Sequence, residues 1–212
     1  LLRFFQSGRT RVKFCGLTRE EDVVCAAQLG VDALGFNLFA GSKRYLPLPQ
    51  AVALAGKVPD DIARIAVVVN PEPQLLAGLQ ESGCFDVIQF HGHETPEFCR
   101  SSHWDLQIKA LPADADPSDY DMPWILLDTP SGAGFGGSGL TFDWALAAAA
   151  RRAHPTKQLI LAGGLQPANV ADAIVQVRPH AVDVAGGIES APGQKDPGKM
   201  HEFMAAVRLA DD

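Results

Sequence analysis

Eight short apolar runs recur along the chain, and most are followed by a stretch with helical spacing. The runs fall at residues 12–15, 33–38, 64–69, 87–90, 106–111, 124–128, 158–162 and 181–185. Runs this short read as buried strands rather than helices. Strands that alternate with helices lie parallel, joined by right-handed crossovers. Eight such units in 212 residues predict a compact α/β fold, the (β/α)8 or TIM barrel, as a single domain. A doubly wound open sheet is the alternative.

The punctuation between the runs is consistent with this reading. Thr18 and Glu21 have capping-box spacing, so the first helix is expected over 19–29 with Gly30 as its stop. Further helices are expected from Pro47 or Pro49, near 73–81, and at Thr95-Pro96, where proline takes the first helical position. Residues 113–123 are acidic and proline-containing, which predicts a short or degenerate fifth helix. Thr141 is expected to cap an alanine-rich helix ending near Ala153, and another should start at Pro167. Asp196-Pro197 opens a last helix that carries Met200, Phe203, Met204 and Val207 on one face.

A net charge of −7 argues against a partner that offers a phosphate backbone, which calls for a basic face. No apolar run approaches the roughly 20 residues that cross a bilayer. The four cysteines lack metal-type spacing and read as free thiols in a reducing cytoplasm. The opening LLRFFQSGR is apolar, then basic, without the charge order of a secretory signal. Residues 1–10 are therefore set aside as a leader, an appended tail or the end of a transit segment, and residues 11–212 as the barrel domain.

Side chains two apart on a strand share a face. Lys13 goes with Cys15, Gln89 with His91, and Gln107 with Lys109, while Asp128 and Asp183 lie late in their strands. If all these faces point inward, two lysines, two aspartates, a thiol and an imidazole share the barrel interior. Unpaired, that charge would be costly to bury. Lys13, Lys109 and Asp183 are read as a mutually satisfied network that supports the site. Cys15 and Asp128 each end a strand before glycine or loop, where barrels of this kind place chemistry. A lone cysteine is more often a small buried hydrophobe. At a strand-to-helix turn, however, it is expected to be partly exposed, with helical N–H groups favouring its anion.

Two glycine pairs, Gly163-Gly164 and Gly186-Gly187, follow the last two strands. Glycine lets backbone N–H groups close on an anion, and phosphate often binds at this place in a barrel. His91-Gly92-His93 has no third ligand at suitable spacing, so no metal is assigned and His91 is read as a hydrogen-bond donor. Arg44, in the loop after the second strand, suits a bidentate grip on a carboxylate.

Taken together, the motifs resemble the phosphoribosylanthranilate isomerase family. They are KFCGLTREEDV at 13–23, SKRYL at 42–46, VVVN at 67–70, QFHGHE at 89–94 and LLDT at 126–129. GGSGLTFDW at 136–144, LAGGLQPANV at 161–170, DVAGGIES at 183–190 and PGQKD at 192–196 complete the ordered set. The resemblance implies a (β/α)8 barrel that performs an Amadori rearrangement in tryptophan biosynthesis, without a cofactor. It places the general base on Cys15, the general acid on Asp128 and the anthranilate-binding arginine on Arg44. It places the phosphate loops on Gly163-Gly164 and Gly186-Gly187. The chain departs from the family pattern at Ala185-Gly186, where two serines are common, at Ser138 and at Phe90.

The expected substrate is N-(5′-phosphoribosyl)anthranilate, and the expected product 1-(2-carboxyphenylamino)-1-deoxyribulose 5-phosphate. The reaction calls for a proton given to the ring oxygen and one taken from C2′. Cys15 would act as thiolate, helped by Lys13 or the helix start. A carboxylic acid serving near neutrality calls for desolvation or a nearby anion, and the substrate supplies two anionic groups. Gln89 and His91 are placed with Arg44 and the glycines among the substrate-binding residues. The protein is expected to be a monomer or homodimer acting on a small molecule. Two alternatives remain at this point: another phosphosugar epimerase or lyase on the same barrel, or a non-catalytic phosphate-ligand binder.

Overall fold

The computed structural model describes residues 2–128 and 144–211. Eight strands form a closed parallel barrel in sequence order. They are β1 Arg11–Cys15, β2 Ala33–Asn37, β3 Ala63–Val68, β4 Val87–Phe90, β5 Gln107–Pro112, β6 Trp124–Asp128, β7 Gln158–Leu161 and β8 Ala181–Val184. β8 pairs with β1 in register Lys13↔Asp183, and this closure rules out the open sheet. The helices are α1 Glu20–Leu29, α2 Leu48–Ala55, α3 Pro73–Ser82, α4 Pro96–Ser101, α5 Trp144–Ala153, α6 Val170–Val177 and α7 Pro197–Asp211. Between β5 and β6 the crossover holds only a 3-10 turn, Pro117–Asp119, as the acidic, proline-bearing segment predicted. Thr141 and its expected cap lie outside the described residues.

Two apolar layers sandwich the strands. The inner one includes Cys15, Ala33, Ile65, Val67, Ile108, Leu126, Ile160 and Ala181. The outer one packs Phe14, Phe36, Phe90 and Val182 against helix residues such as Met200, Phe203 and Val207. Phe203 meets the Phe14 ring edge-on at 6.0 Å. The predicted apolar face of the last helix is thus the one buried. A 3-10 turn at Arg3–Phe5 precedes the barrel, and Phe4 is fully buried in the inner layer against Trp124, ring centroids 5.4 Å apart. The segment set aside in the sequence reading packs against the barrel's inner layer.

Three local expectations are corrected. The capping box does not form: α1 starts at Glu20 with Arg19 as its N-cap, and Thr18 Oγ1 donates instead to Gly193 O. Arg19 forks onto Asp22 at 2.9 and 2.7 Å, so tertiary partners and an ion pair take the place of the local cap. The helix expected from Pro167 starts at Val170, because the Asn169 side chain folds the preceding turn, bonding Gln166 N and Gly164 O. Lys109 and Gln107 do not enter the barrel. Ile108 and Ala110 occupy the inner face of β5, so strand alternation turns their neighbours outward.

A hairpin, β9 Glu189–Ala191 with β10 Gln194–Lys195, follows β8 and has no counterpart in the sequence reading. It turns at Gly193, whose φ of +79° suits glycine.

Candidate active site

The site lies at the C-terminal ends of the strands. Cys15 ends β1 on the inner face and is 9 % exposed. Lys13, one inward position below, is fully buried and donates to Asp183 Oδ1 at 2.9 Å. The pairing follows from register, since Lys13 and Asp183 are direct neighbours across β1 and β8. Burial alone would lower the Lys13 pKa, but Asp183 and Cys15 overcome it and hold the ammonium above the ordinary lysine value.

The Cys15 thiol is not the exposed, helix-activated group expected. α1 begins only at Glu20, and burial pushes the thiol pKa up; Lys13 offsets this only in part. Gly35 on β2 leaves room for this pair: a Cβ there would stand 2.9 Å from Cys15 Sγ and 3.1 Å from Lys13 Cε.

Across the mouth, β4 and β6 supply a hydrogen-bonded chain. Gln89 is fully buried beneath His91 and meets its Nδ1 at 2.8 Å. With the Gln89 amide donating to Nδ1, the imidazole proton sits on Nε2 and points at Asp128 Oδ2, 3.1 Å away. Both ring nitrogens of His91 are thereby engaged. Gln89 reaches the site through His91, and the Asp128 side chain is 43 % exposed. Of the two routes open to the acid role, desolvation or a nearby anion, burial does not supply the first; the partner of Asp128 is an imidazole.

Lys109 belongs to a different assembly. On the outer face of β5 it is buried with Glu94 at 2.8 Å and also donates to Phe90 O and Gly92 O. Glu94 in turn accepts from the amides of Asn70 and Gly92. Lys109 thus braces the β4–α4 loop that carries His91, from outside the barrel.

The glycine pairs are neighbours in space. Gly163 and Gly164 have φ of +85° and +64°, and among the described residues their amides have no partner. A Cβ on Gly187 would lie 1.9 Å from Leu165 O, so the turns after β7 and β8 touch through bare backbone. That geometry suits closing amides on an anion.

Arg44 lies beside the second glycine turn, with its Nη2 3.3 Å from where a Gly186 Cβ would be. Its guanidinium, partly exposed, forks onto Glu189, Nε to Oε1 at 2.7 Å and Nη2 to Oε2 at 2.6 Å. Lys195, fully buried, donates to Glu189 Oε1 at 2.9 Å, Cys15 O at 2.6 Å and Ala185 O at 3.1 Å. Glu189 and Lys195 fall within quoted motifs, but the sequence reading gave them no role. Their partner Arg44 is 145 positions from Glu189, beyond any local pattern.

A thiol and a carboxyl at the C-terminal ends of β1 and β6, an arginine and a bare-backbone cradle suit acid–base chemistry on an anionic sugar. Comparisons with known proteins agree. Residues 12–206 match the family model described as N-(5'phosphoribosyl)anthranilate (PRA) isomerase. N-(5'-phosphoribosyl)anthranilate isomerase of Bordetella avium is 42 % identical over 216 residues, covering 96 % of this chain and 98 % of its own. The structure of phosphoribosyl anthranilate isomerase from Thermotoga maritima superposes with a TM-score of 0.84 at 36 % identity, over 94 % of this chain and 99 % of that one. A phosphoribosyl anthranilate isomerase in complex with reduced 1-(o-carboxyphenylamino)-1-deoxyribulose 5-phosphate gives 0.80 at 33 %, over 94 % and 99 %. With the barrel closed and the match spanning nearly the whole chain, the protein belongs to the N-(5′-phosphoribosyl)anthranilate isomerase family.

Proposed function

We propose that this chain isomerises N-(5′-phosphoribosyl)anthranilate to 1-(2-carboxyphenylamino)-1-deoxyribulose 5-phosphate, a step of tryptophan biosynthesis. The observation that carries the assignment of roles is the placement of Cys15 and Asp128. Both end strands on the inner face, on β1 and β6, three strands apart around the ring by the shorter path. A furanose lying between them can gain a proton on one side and lose one on the other.

Asp128 gives its proton to the ring oxygen. The C1′–O bond breaks and leaves a protonated Schiff base. The Cys15 thiolate then removes the C2′ proton, which the cationic nitrogen has made acidic. The electron pair forms the C1′–C2′ double bond of an enolamine, which tautomerises to the ketone. The proton on His91 Nε2 keeps Asp128 Oδ2 aimed inward. Arg44 receives the anthranilate carboxylate, and the amides of Gly163, Gly164, Gly186 and Gly187 receive the phosphate. Lys13, neutralised by Asp183, sits beneath the sulfur and favours its anion. No step calls for a metal or redox cofactor. A cytoplasmic location is supported by its four free thiols, and the enzyme acts as a monomer or homodimer. No helix among the described residues is long and apolar enough to cross a membrane.

The test follows anthranilate fluorescence as substrate is consumed. Cys15→Ala and Asp128→Asn should each lower kcat by about 10²- to 10⁴-fold, the usual contribution of a positioned acid or base. Near-normal turnover in either variant removes that residue from the mechanism.

A further inference from the structure

The hairpin after β8 holds an ion cluster that the proton transfers do not use. Glu189 occupies one edge of the Arg44 guanidinium, the side edge formed by Nε and Nη2. A guanidinium has a second fork, the end edge of Nη1 and Nη2, and a planar carboxylate can approach it without displacing the first. Glu189 is itself held: Lys195 and the Gly193 amide donate to Oε1, at 2.9 and 3.2 Å. The Glu189 side chain is 5 % exposed, while that of Arg44 is 27 % exposed. One buried anion between two cations leaves the cluster a net single positive charge, and the exposed part of that charge is on Arg44.

We propose that Glu189, anchored by Lys195, is a specificity-determining positioning residue. It fixes the side edge of Arg44 and so reserves the end edge for the carboxylate of an ortho-carboxylated arylamine sugar phosphate. The inference rests on the isomerase reading and deepens it: it names what selects the acid over a neutral arylamine. Lys195 also ties the Cys15 and Ala185 carbonyls, so one lysine sets the strand end of the base, the second glycine turn and the carboxylate fork in a common frame.

The experiment compares calorimetric affinities for two probes, 1-(2-carboxyphenylamino)-1-deoxyribitol 5-phosphate and its counterpart without the carboxyl group. In Glu189→Gln the preference for the carboxylated probe should fall about 10- to 100-fold, as expected for loosening a desolvated charge-assisted fork. Binding of the other probe should change by less than about threefold, within the scatter of a change that touches no ligand contact. In an Arg44→Ala background the same substitution should add nothing, because the two residues act as one unit. An unchanged preference, equal weakening of both probes, or additive losses would overturn the proposal. If Glu189→Gln does not fold, Glu189→Asp keeps the charge beside Lys195 but withdraws it from Arg44, and the same selective loss is expected. A wild-type enzyme that leaves the fluorescent substrate unconsumed would overturn the isomerase reading itself, by a separate readout.

Discussion

Truncating Phe4 to alanine tests whether the segment ahead of β1 is part of the fold. Phe4 is fully buried in the inner apolar layer. Its ring meets Phe5 edge-on at 5.3 Å and lies 5.4 Å from Trp124, whose indole also contacts His180 at 6.3 Å. The backbone is tied as well, since Arg3 N donates to Asp61 O at 3.5 Å. Removing a buried phenylalanine side chain costs about 3–5 kcal/mol through lost transfer energy and the cavity left behind. At about 2.1 cal/mol/K per residue, 212 residues give an unfolding entropy near 0.45 kcal/mol/K at the midpoint. Tm should therefore fall by about 7–11 °C. A barrel of this length has about 10–15 kcal/mol of stability, so the variant should still fold at 25 °C. Trp124 begins β6 and Asp128 ends it, so the lesion lies at the far end of the strand from the chemistry. The assay is a thermal melt by circular dichroism beside the fluorescence rate at 25 °C. A drop below about 2 °C would mean that Phe4 spends its time in solvent, and the reasoning from burial would fail. A full drop accompanied by a large loss of kcat would refute the separation of floor from site.

Two more outcomes follow from the site. Burial holds the Cys15 thiol above its ordinary value, so the thiolate is the minor form at neutrality. kcat/KM should thus rise with pH through neutrality and level off only above the ordinary thiol range; a plateau already reached at pH 6 would contradict the base assignment. Gly187→Ala should weaken inorganic phosphate binding and lower Tm together, because the added Cβ lands 1.9 Å from Leu165 O and must separate the two turns; a variant with native Tm and native phosphate affinity would show that the turns do not form a joint cradle.

The barrel was legible because the strands are largely buried on both faces and therefore read as short, mainly apolar runs between turn signals. The inward pairing of Lys13 with Asp183 was half legible. Alternation placed Lys13 on the Cys15 face, but only the β8–β1 register supplies the partner. The same alternation misled at Lys109. A strand's parity gives two faces without saying which is inner, and Ile108 and Ala110 take the inner one. Thr18 failed for a related reason. A local capping pattern is worth about 1 kcal/mol, and the Thr18 hydroxyl is instead held by donating to a hairpin carbonyl from the far end of the chain.

The carboxylate fork shows where sequence reading runs out. Arg44 could be picked out as a solitary loop arginine near the mouth, but its orientation depends on Glu189, and Glu189 depends on Lys195. All three sit in loops or in a hairpin too short to signal itself by periodicity. The residues proposed to touch substrate carry recognisable chemistry, whereas those that hold them are placed by long-range contact. A loop arginine with no fixed partner pays rotamer entropy each time it grips a ligand; one already forked on a buried carboxylate has met that cost in folding. On the proposed reading, the ion cluster thus arranges one planar group before any substrate arrives.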